Sequence, residues 1–198
     1  MIDAHDERNP MPHFLVSGIA ELVAQVATVL RENGSTVVEV DDIGDVPRAC
    51  SDAGDRAFDG YIQLPATFMV QGDTAVERVH HFFADGVLAR FPAVSAALPA
   101  LTPEARITFV MGVLPPEVST DDDVSARAAL VRVLGHAARA DGPAGLRVSV
   151  VGSGSTPKEI ALTGMGRNPE WESLAAEASG GSYADWRVEL LGLMSAET

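Results

Sequence analysis

Cysteine is nearly missing. Among 198 residues there is one, Cys50. A single thiol excludes an internal disulfide and a cysteine-built zinc cage. It fits a reducing compartment, so a cytoplasmic location is expected. Basic residues are also scarce. Lys and Arg number 14 against 28 Asp and Glu, for a formal net charge of −14. Such an acidic protein repels phosphate backbones and anionic lipid, so nucleic acid and membranes are not expected partners. No apolar run approaches the ~20 residues that cross a bilayer. The opening M-I-D-A-H-D-E-R-N-P has neither the basic nor the apolar region of a secretion signal. Residues 1–12 read as a flexible leader. Internal repeats and low-complexity tracts are absent. Apolar residues are not in short supply: at 46% they suffice for one core, and residues 13–198 read as a single domain.

The order of elements can be followed along the chain. H-F-L-V-S, His13 to Ser17, is a short apolar run of the kind a buried parallel strand shows. After Gly18, Ile19, Leu22, Val23, Val26, Val29 and Leu30 recur at helical spacing up to a stop at Asn33-Gly34. A second strand, Thr36 to Val40, ends at Asp41 and Asp42. Strand, helix, strand is the opening of an α/β fold. Gly60 to Leu64 is the next strand. Asp73 to Phe91 reads as one long helix with a capping box at Thr74 and Glu77 and a stripe of Val76, Val79, Phe83 and Val87. Pro92 to Thr102 reads as its end and a loop, and Arg106 to Gly112 as a strand. A helix from about Val124 to Ala140, a turn at Gly142-Pro143-Ala144-Gly145, a strand from Leu146 to Val151 and a glycine-containing loop follow. Helical segments fill about 168–195. His80 and His81 are adjacent. Neighbours on a helix point about 100° apart, so no metal site is expected there.

The stretch S-A-R-A-A-L followed by R-V-S-V-V-G-S-G resembles the second half of a short-chain dehydrogenase/reductase. There a Tyr-x-x-x-Lys helix leads to an R-V-x-x-V-x-P-G strand and loop. The resemblance implies a Rossmann-like three-layer sandwich with a mostly parallel sheet. This chain is shortened relative to full-length members. Fewer than 20 residues separate Asp42 from the strand at Gly60, where the family fits another helix and strand. The family's site positions fall on other residues here. Its first turn, T-G-x-x-x-G-x-G, corresponds to Ser17-Gly18 followed by Ile19, Ala20, Glu21, Leu22, Val23 and Ala24. Its Asn-Asn-Ala-Gly corresponds to Gln63-Leu64-Pro65-Ala66. Its serine falls near Met111 or Gly112, its tyrosine on Asp123 and its lysine on Arg127.

Five motifs depart together, and this carries the functional expectation. Asp123 is ionised at neutral pH and cannot donate a proton as tyrosine does without a large pKa shift. Arg127 is a fixed cation rather than a proton relay. The two are catalytic candidates, or an i, i+4 surface ion pair. Ser17, Gly18, Asp41, Gln63, Gly112, Ser153 and Gly154 would line a vestigial cleft at the sheet's C-terminal edge. Gln63 either offers an amide to a small-molecule ligand or meets solvent or backbone. No cofactor is expected, neither NAD nor NADP, and no active dehydrogenase. The reading is a non-redox structural or regulatory subunit. It pairs with itself or with an active family member through helices 73–91 and 124–140, as the family does across its dimer axis. The alternatives are a cyclase, dehydratase or lyase on the same scaffold, and an atypical NAD(P)-dependent oxidoreductase.

Overall fold

The computed structural model describes residues 11–65, 71–112, 121–152 and 154–168, with the backbone alone over 121–129. Ser153, most of the expected leader and the expected helices beyond 168 lie outside the described residues. Strands β1 (His13–Ser17), β2 (Thr36–Val40), β3 (Phe58–Gln63), β4 (Leu101–Val110) and β5 (Arg147–Val151) form one sheet in the order β2-β1-β3-β4-β5. Every neighbouring pair is parallel. Parallel strands need crossovers, and helices supply them on both faces. α1 (Ala20–Glu32) and α6 (Pro157–Gly164) cover one face; α2 (Val46–Ala53), α4 (Arg90–Ala97) and α5 (Asp121–Asp141) cover the other. The three-layer α/β expectation holds.

The alternation of the strands builds two cores. Phe14, Val16, Ile62, Val110 and Val151 meet Val23, Val26 and Leu30 of α1 and Ile160 of α6. Leu15, Tyr61, Ile107, Phe109 and Val148 meet Val46, Val94, Val131 and Leu134 on the opposite face. Strands buried on both faces read as continuous apolar runs, which is why H-F-L-V-S was legible.

Three expectations need correcting. The segment 73–91 is not one regular helix. α3 (Ala75–His81) passes into a π-helical turn over Phe82–Leu88, and α4 begins at Arg90. A π turn adds residues per turn and rotates everything downstream. Only part of the expected stripe is buried: Val76 is 79% exposed, while Val87 is buried and Phe83 packs beside it and Phe82. Second, residues 42–59 hold a helix. The Asp42 side chain accepts from the Gly44 N–H, Pro47 sits in the first turn of α2, and Val46 and Cys50, four apart, are buried. Third, β4 starts at Leu101. Phe58 pairs with Leu101 but Gly60 with Arg106, so β4 bulges between them and regular pairing resumes only at Arg106.

Among the described residues two buried hydroxyls have no partner, those of Ser35 and Thr108. Thr108 in β4 lies beside Gly164, and its Oγ1 makes no hydrogen bond. Valine has the same shape without the unsatisfied group. Thr108→Val is expected to raise stability by about 1 kcal/mol, read as a later urea midpoint at unchanged slope.

Candidate functional site

Open parallel sheets take ligands outside the C-terminal strand ends, where the strand order reverses. Here that point lies between β1 and β3, since β1 has β2 on its other side. The first turn is short. Only Gly18 and Ile19 separate Ser17 from Ala20. The Gly18 N–H donates to the Val40 carbonyl at 3.1 Å, the Ile19 N–H to the Pro65 carbonyl at 2.9 Å, and the Leu64 N–H to the Ser17 carbonyl at 2.8 Å. Gly18 has φ +137°, and a Cβ there would sit 2.7 Å from both Leu64 Cβ and Pro65 O. Glycine at this position serves the close approach of two pieces of the protein itself. The N-terminus of α1 beyond it carries no side-chain cap.

Beneath the turn lies a buried polar network. Ser17 Oγ and Tyr61 OH are 2.9 Å apart. Gln63 Nε2 donates to Tyr61 OH and to the Arg90 carbonyl, each at 3.1 Å. Arg90 returns two bonds to the same glutamine: Nε to Oε1 at 2.8 Å and Nη2 to the main-chain carbonyl at 3.0 Å. The guanidinium lies 5.9 Å from the centre of the Phe109 ring. Burial pushes the Tyr61 hydroxyl up to about 12, the hydrogen bonds from Ser17 and Gln63 only partly opposing it. Burial pulls Arg90 down to about 10, so it stays protonated at neutral pH. No carboxylate pairs with it among the described residues.

Ser17 and Gln63 are thus brought together, but neither lines an open cleft. The Gln63 amide meets backbone, as one alternative expected: its nitrogen donates to the Arg90 main-chain carbonyl and to Tyr61, and its oxygen accepts from the Arg90 side chain. Asp41 stands exposed at the end of β2. Gly112 packs 3.6 Å from Pro65, measured from the Cβ it lacks. Gly154 is exposed with open space around it. Asp123 and Arg127 fall in the first turns of α5, and their side chains lie outside the described residues. Sequence reasoning missed Tyr61 and Arg90. A lone arginine within G-V-L-A-R-F-P-A-V was the available signal; Tyr61 gave none.

It also missed α6, whose signal T-P-K-E was present. Thr156 Oγ1 accepts from the Glu159 N–H at 3.3 Å, and the Thr156 N–H donates to Glu159 Oε2 at 2.7 Å. This capping box spends Thr156 on the helix. The bonds from Thr156 hold the Glu159 carboxyl below its ordinary 4.5, as those from Thr74 and Asp73 do for Glu77. A depressed folded pKa stabilises above the unfolded value and is lost as pH falls through the folded one. Glu159→Gln is therefore expected to make the loss of stability below about pH 4.5 shallower, measured by urea unfolding across the acid range.

No family model and no curated protein matches the sequence. Solved structures do match. BdcA (YjgI) from E. coli superposes over 80% of this chain and 90% of its own, with 19% identity and a TM-score of 0.50. BdcA in complex with NADPH covers 81% and 88%, with 15% identity and a TM-score of 0.51. The chain shares the fold of BdcA. The expectation of no cofactor is corrected by this finding, because a protein of the same fold was crystallised with NADPH. The departing glycine motif had argued against a pyrophosphate through lost backbone approach. That argument holds for Gly18, whose surroundings are filled, but not for the uncapped N-terminus of α1 or for Gly152 and Gly154, which face open space. Helix N-termini receive phosphate through free N–H groups. Glu21 stands in the first turn of the same helix. Among the described residues no helix is long and apolar enough to cross a membrane.

Proposed function

We propose that this chain is a short-chain-dehydrogenase-like protein that binds a nicotinamide dinucleotide across the C-terminal edge of its sheet and transfers no hydride itself. The observation that carries it is the shared fold with the NADPH complex of BdcA, together with an uncapped α1 at the strand-order reversal. The residues for holding the ligand are the α1 N-terminus, Asp41, Gly152 and Gly154. The ligand itself would supply hydride chemistry. The chain's own residues support binding and orientation. Tyr61 and Ser17 are buried and bonded to each other. A hydroxyl pushed up to about 12 is a poor acid at neutral pH. The family's tyrosine and lysine positions carry Asp123 and Arg127. Such a subunit would pair with a second copy or an active relative through segments 73–91 and 124–140. Val76 and Leu88 of the first are 79% and 50% exposed.

Calorimetric titration with NADPH and with NADH tests the binding. Following the reduced nicotinamide in the presence of aldehydes, ketones and quinones tests the chemistry. Saturable binding with no loss of reduced cofactor is expected; oxidation at ordinary enzymatic rates with any of them would contradict it. Asp41 adds a specificity prediction. A carboxylate after the second strand suits a ribose 2′-hydroxyl and opposes a 2′-phosphate. Asp41→Arg is expected to shift the ratio of NADPH to NADH affinity toward NADPH by about tenfold, roughly 1.4 kcal/mol.

A further inference from the structure

His81, half of the adjacent pair at which no metal site is expected, is engaged through both ring nitrogens. Its Nδ1 accepts from the Gln71 N–H at 3.1 Å. Its Nε2 faces Asp85 Oδ2 at 2.8 Å, four residues on. A main-chain N–H only donates and an ionised carboxylate only accepts, so the two contacts fix the neutral ring in its Nε2–H form. The chain entering α3 is held to the helix by three side chains. Glu77 Oε2 accepts from the Asp73 and Thr74 N–H groups, each at 2.9 Å. Arg78 Nη1 donates to the Gly72 carbonyl at 3.4 Å. His81 takes Gln71, the first of the four. The fit is close: Gly72 has φ +137°, and a Cβ there would sit 2.6 Å from Glu77 Cβ. A helix that crosses between parallel strands starts at the edge where the first strand ends. Residues 71–74 follow β3 and so lie on the side of the sheet where its strands end.

We propose that His81 is a pH-sensitive latch on the chain entering α3. Neutral, it holds Gln71 to the helix; protonated, it releases Gln71 and keeps Asp85. A doubly protonated imidazole has two donors and no acceptor, so the Gln71 bond and the cation exclude each other. Asp85 favours the cation and the Gln71 N–H favours the neutral ring. Histidine is the side chain that changes charge between about pH 5 and 8. The Gln71 bond is present at the upper end of that range and is lost as pH falls through it. Glu77 behaves differently. The bonds from Thr74 and Asp73 hold its carboxyl below its ordinary 4.5, so it stays ionised and keeps both residues bound throughout. Arg78 and His80 lie on the same helix. Arg90 of α4 is turned to Gln63. α5, packed on the π turn through Leu130, carries Asp121, Asp122, Asp123 and Arg127 ahead of that residue and Arg132 and His136 after it. These charges set the pH at which the latch opens, and none of them returns an acceptor to a protonated ring. The latch is independent of the dinucleotide reading.

Imidazole nitrogen resonances and amide hydrogen exchange of the full chain, followed from about pH 8 to about pH 5, test the latch. The His81 ring is assigned by the signals lost in His81→Asn. At the upper end the ring is expected in its Nε2–H form. As it gains the second proton, protection of the Gln71 amide should fall about fivefold beyond the ordinary pH dependence of exchange, which is one hydrogen bond of about 1 kcal/mol. The two changes should share one midpoint. The Asp73 and Thr74 amides should keep their protection. Asparagine places a non-titrating oxygen where Nδ1 stands, so His81→Asn is expected to hold Gln71 equally at both ends. Asp85→Asn removes the carboxylate that favours the cation and should move the midpoint of both signals to lower pH together. An Nδ1–H ring at the upper end would overturn the latch, even where neither variant folds. Gln71 protection that ignores the His81 titration, or that falls together with that of Asp73 and Thr74, overturns it as well.

Discussion

Replacing Arg90 with methionine is expected to cost the fold about 3 kcal/mol. Methionine fills much of the same space beside Phe109 but donates nothing. Two buried acceptors lose their partners, Gln63 Oε1 and the Gln63 main-chain carbonyl. Each unsatisfied buried group costs about 1–3 kcal/mol, and relief from burying a cation returns part of the sum. The penalty should belong to the orphaned glutamine rather than to lost packing. Adding Gln63→Leu is therefore expected to cost less than the sum of the two changes, because it removes the orphaned Oε1, although the main-chain carbonyls of residues 63 and 90 and the Tyr61 hydroxyl are then left without these donors. Urea unfolding of the two single variants and the double variant measures the coupling. Additive losses would show that Arg90 and Gln63 act independently and that the network is not a unit.

Gly60→Ala is the second large effect, again about 3 kcal/mol. β3 and β1 are neighbours, and the Gly60 and Phe14 positions pair directly. A Cβ at 60 would overlap Phe14 Cε1 and Cδ1. Phe14 is buried, with Val23, Val26 and Leu30 of α1 in the same core, so its ring has little room to retreat. Overpacking a well-filled core costs about 1–3 kcal/mol, and a clash with a ring lies at the upper end. Shrinking the partner should help. Phe14→Leu in the Gly60→Ala background is expected to be less destabilising than the sum of the two changes, as thermal or urea unfolding would show. A simple sum would mean that the ring and the glycine do not constrain each other.

These two sites show where sequence reading succeeds and where it stops. β1, α1, β2 and β5 were legible because strands buried on both faces leave short apolar runs, and a helix buried on one leaves a 3.6-residue period. α6 and α2 were missed although T-P-K-E and Asp42 with Pro47 were there to be read, signals of capping rather than of periodicity. The π turn at Phe82–Leu88 was not legible. It depends on how the segment packs, and it leaves Val76 exposed at the start of the stripe while Val87 and Arg90 are buried. The site was legible in place and not in contents. Ser17 and Gln63 were recognised as residues of the sheet's C-terminal edge. Their partners, Tyr61 and Arg90, are 44 and 27 residues away along the chain, and nothing local marks such a pairing. The cofactor expectation erred for a related reason. It weighed five departing motifs together, whereas phosphate recognition also draws on helix N-termini and on glycines after other strands, without a fixed motif.

Thermal unfolding of the purified chain with and without NADPH tests the central claim most directly. A ligand that binds only the native state stabilises it by RT ln(1 + [L]/Kd), about 2.7 kcal/mol at ~100 times Kd. A saturable rise in melting temperature with millimolar NADPH or NADH, with the nicotinamide still fully reduced afterwards, is the predicted result. An unchanged melting temperature with both dinucleotides would contradict the binding. Consumption of the reduced nicotinamide by the chain would contradict its lack of hydride transfer.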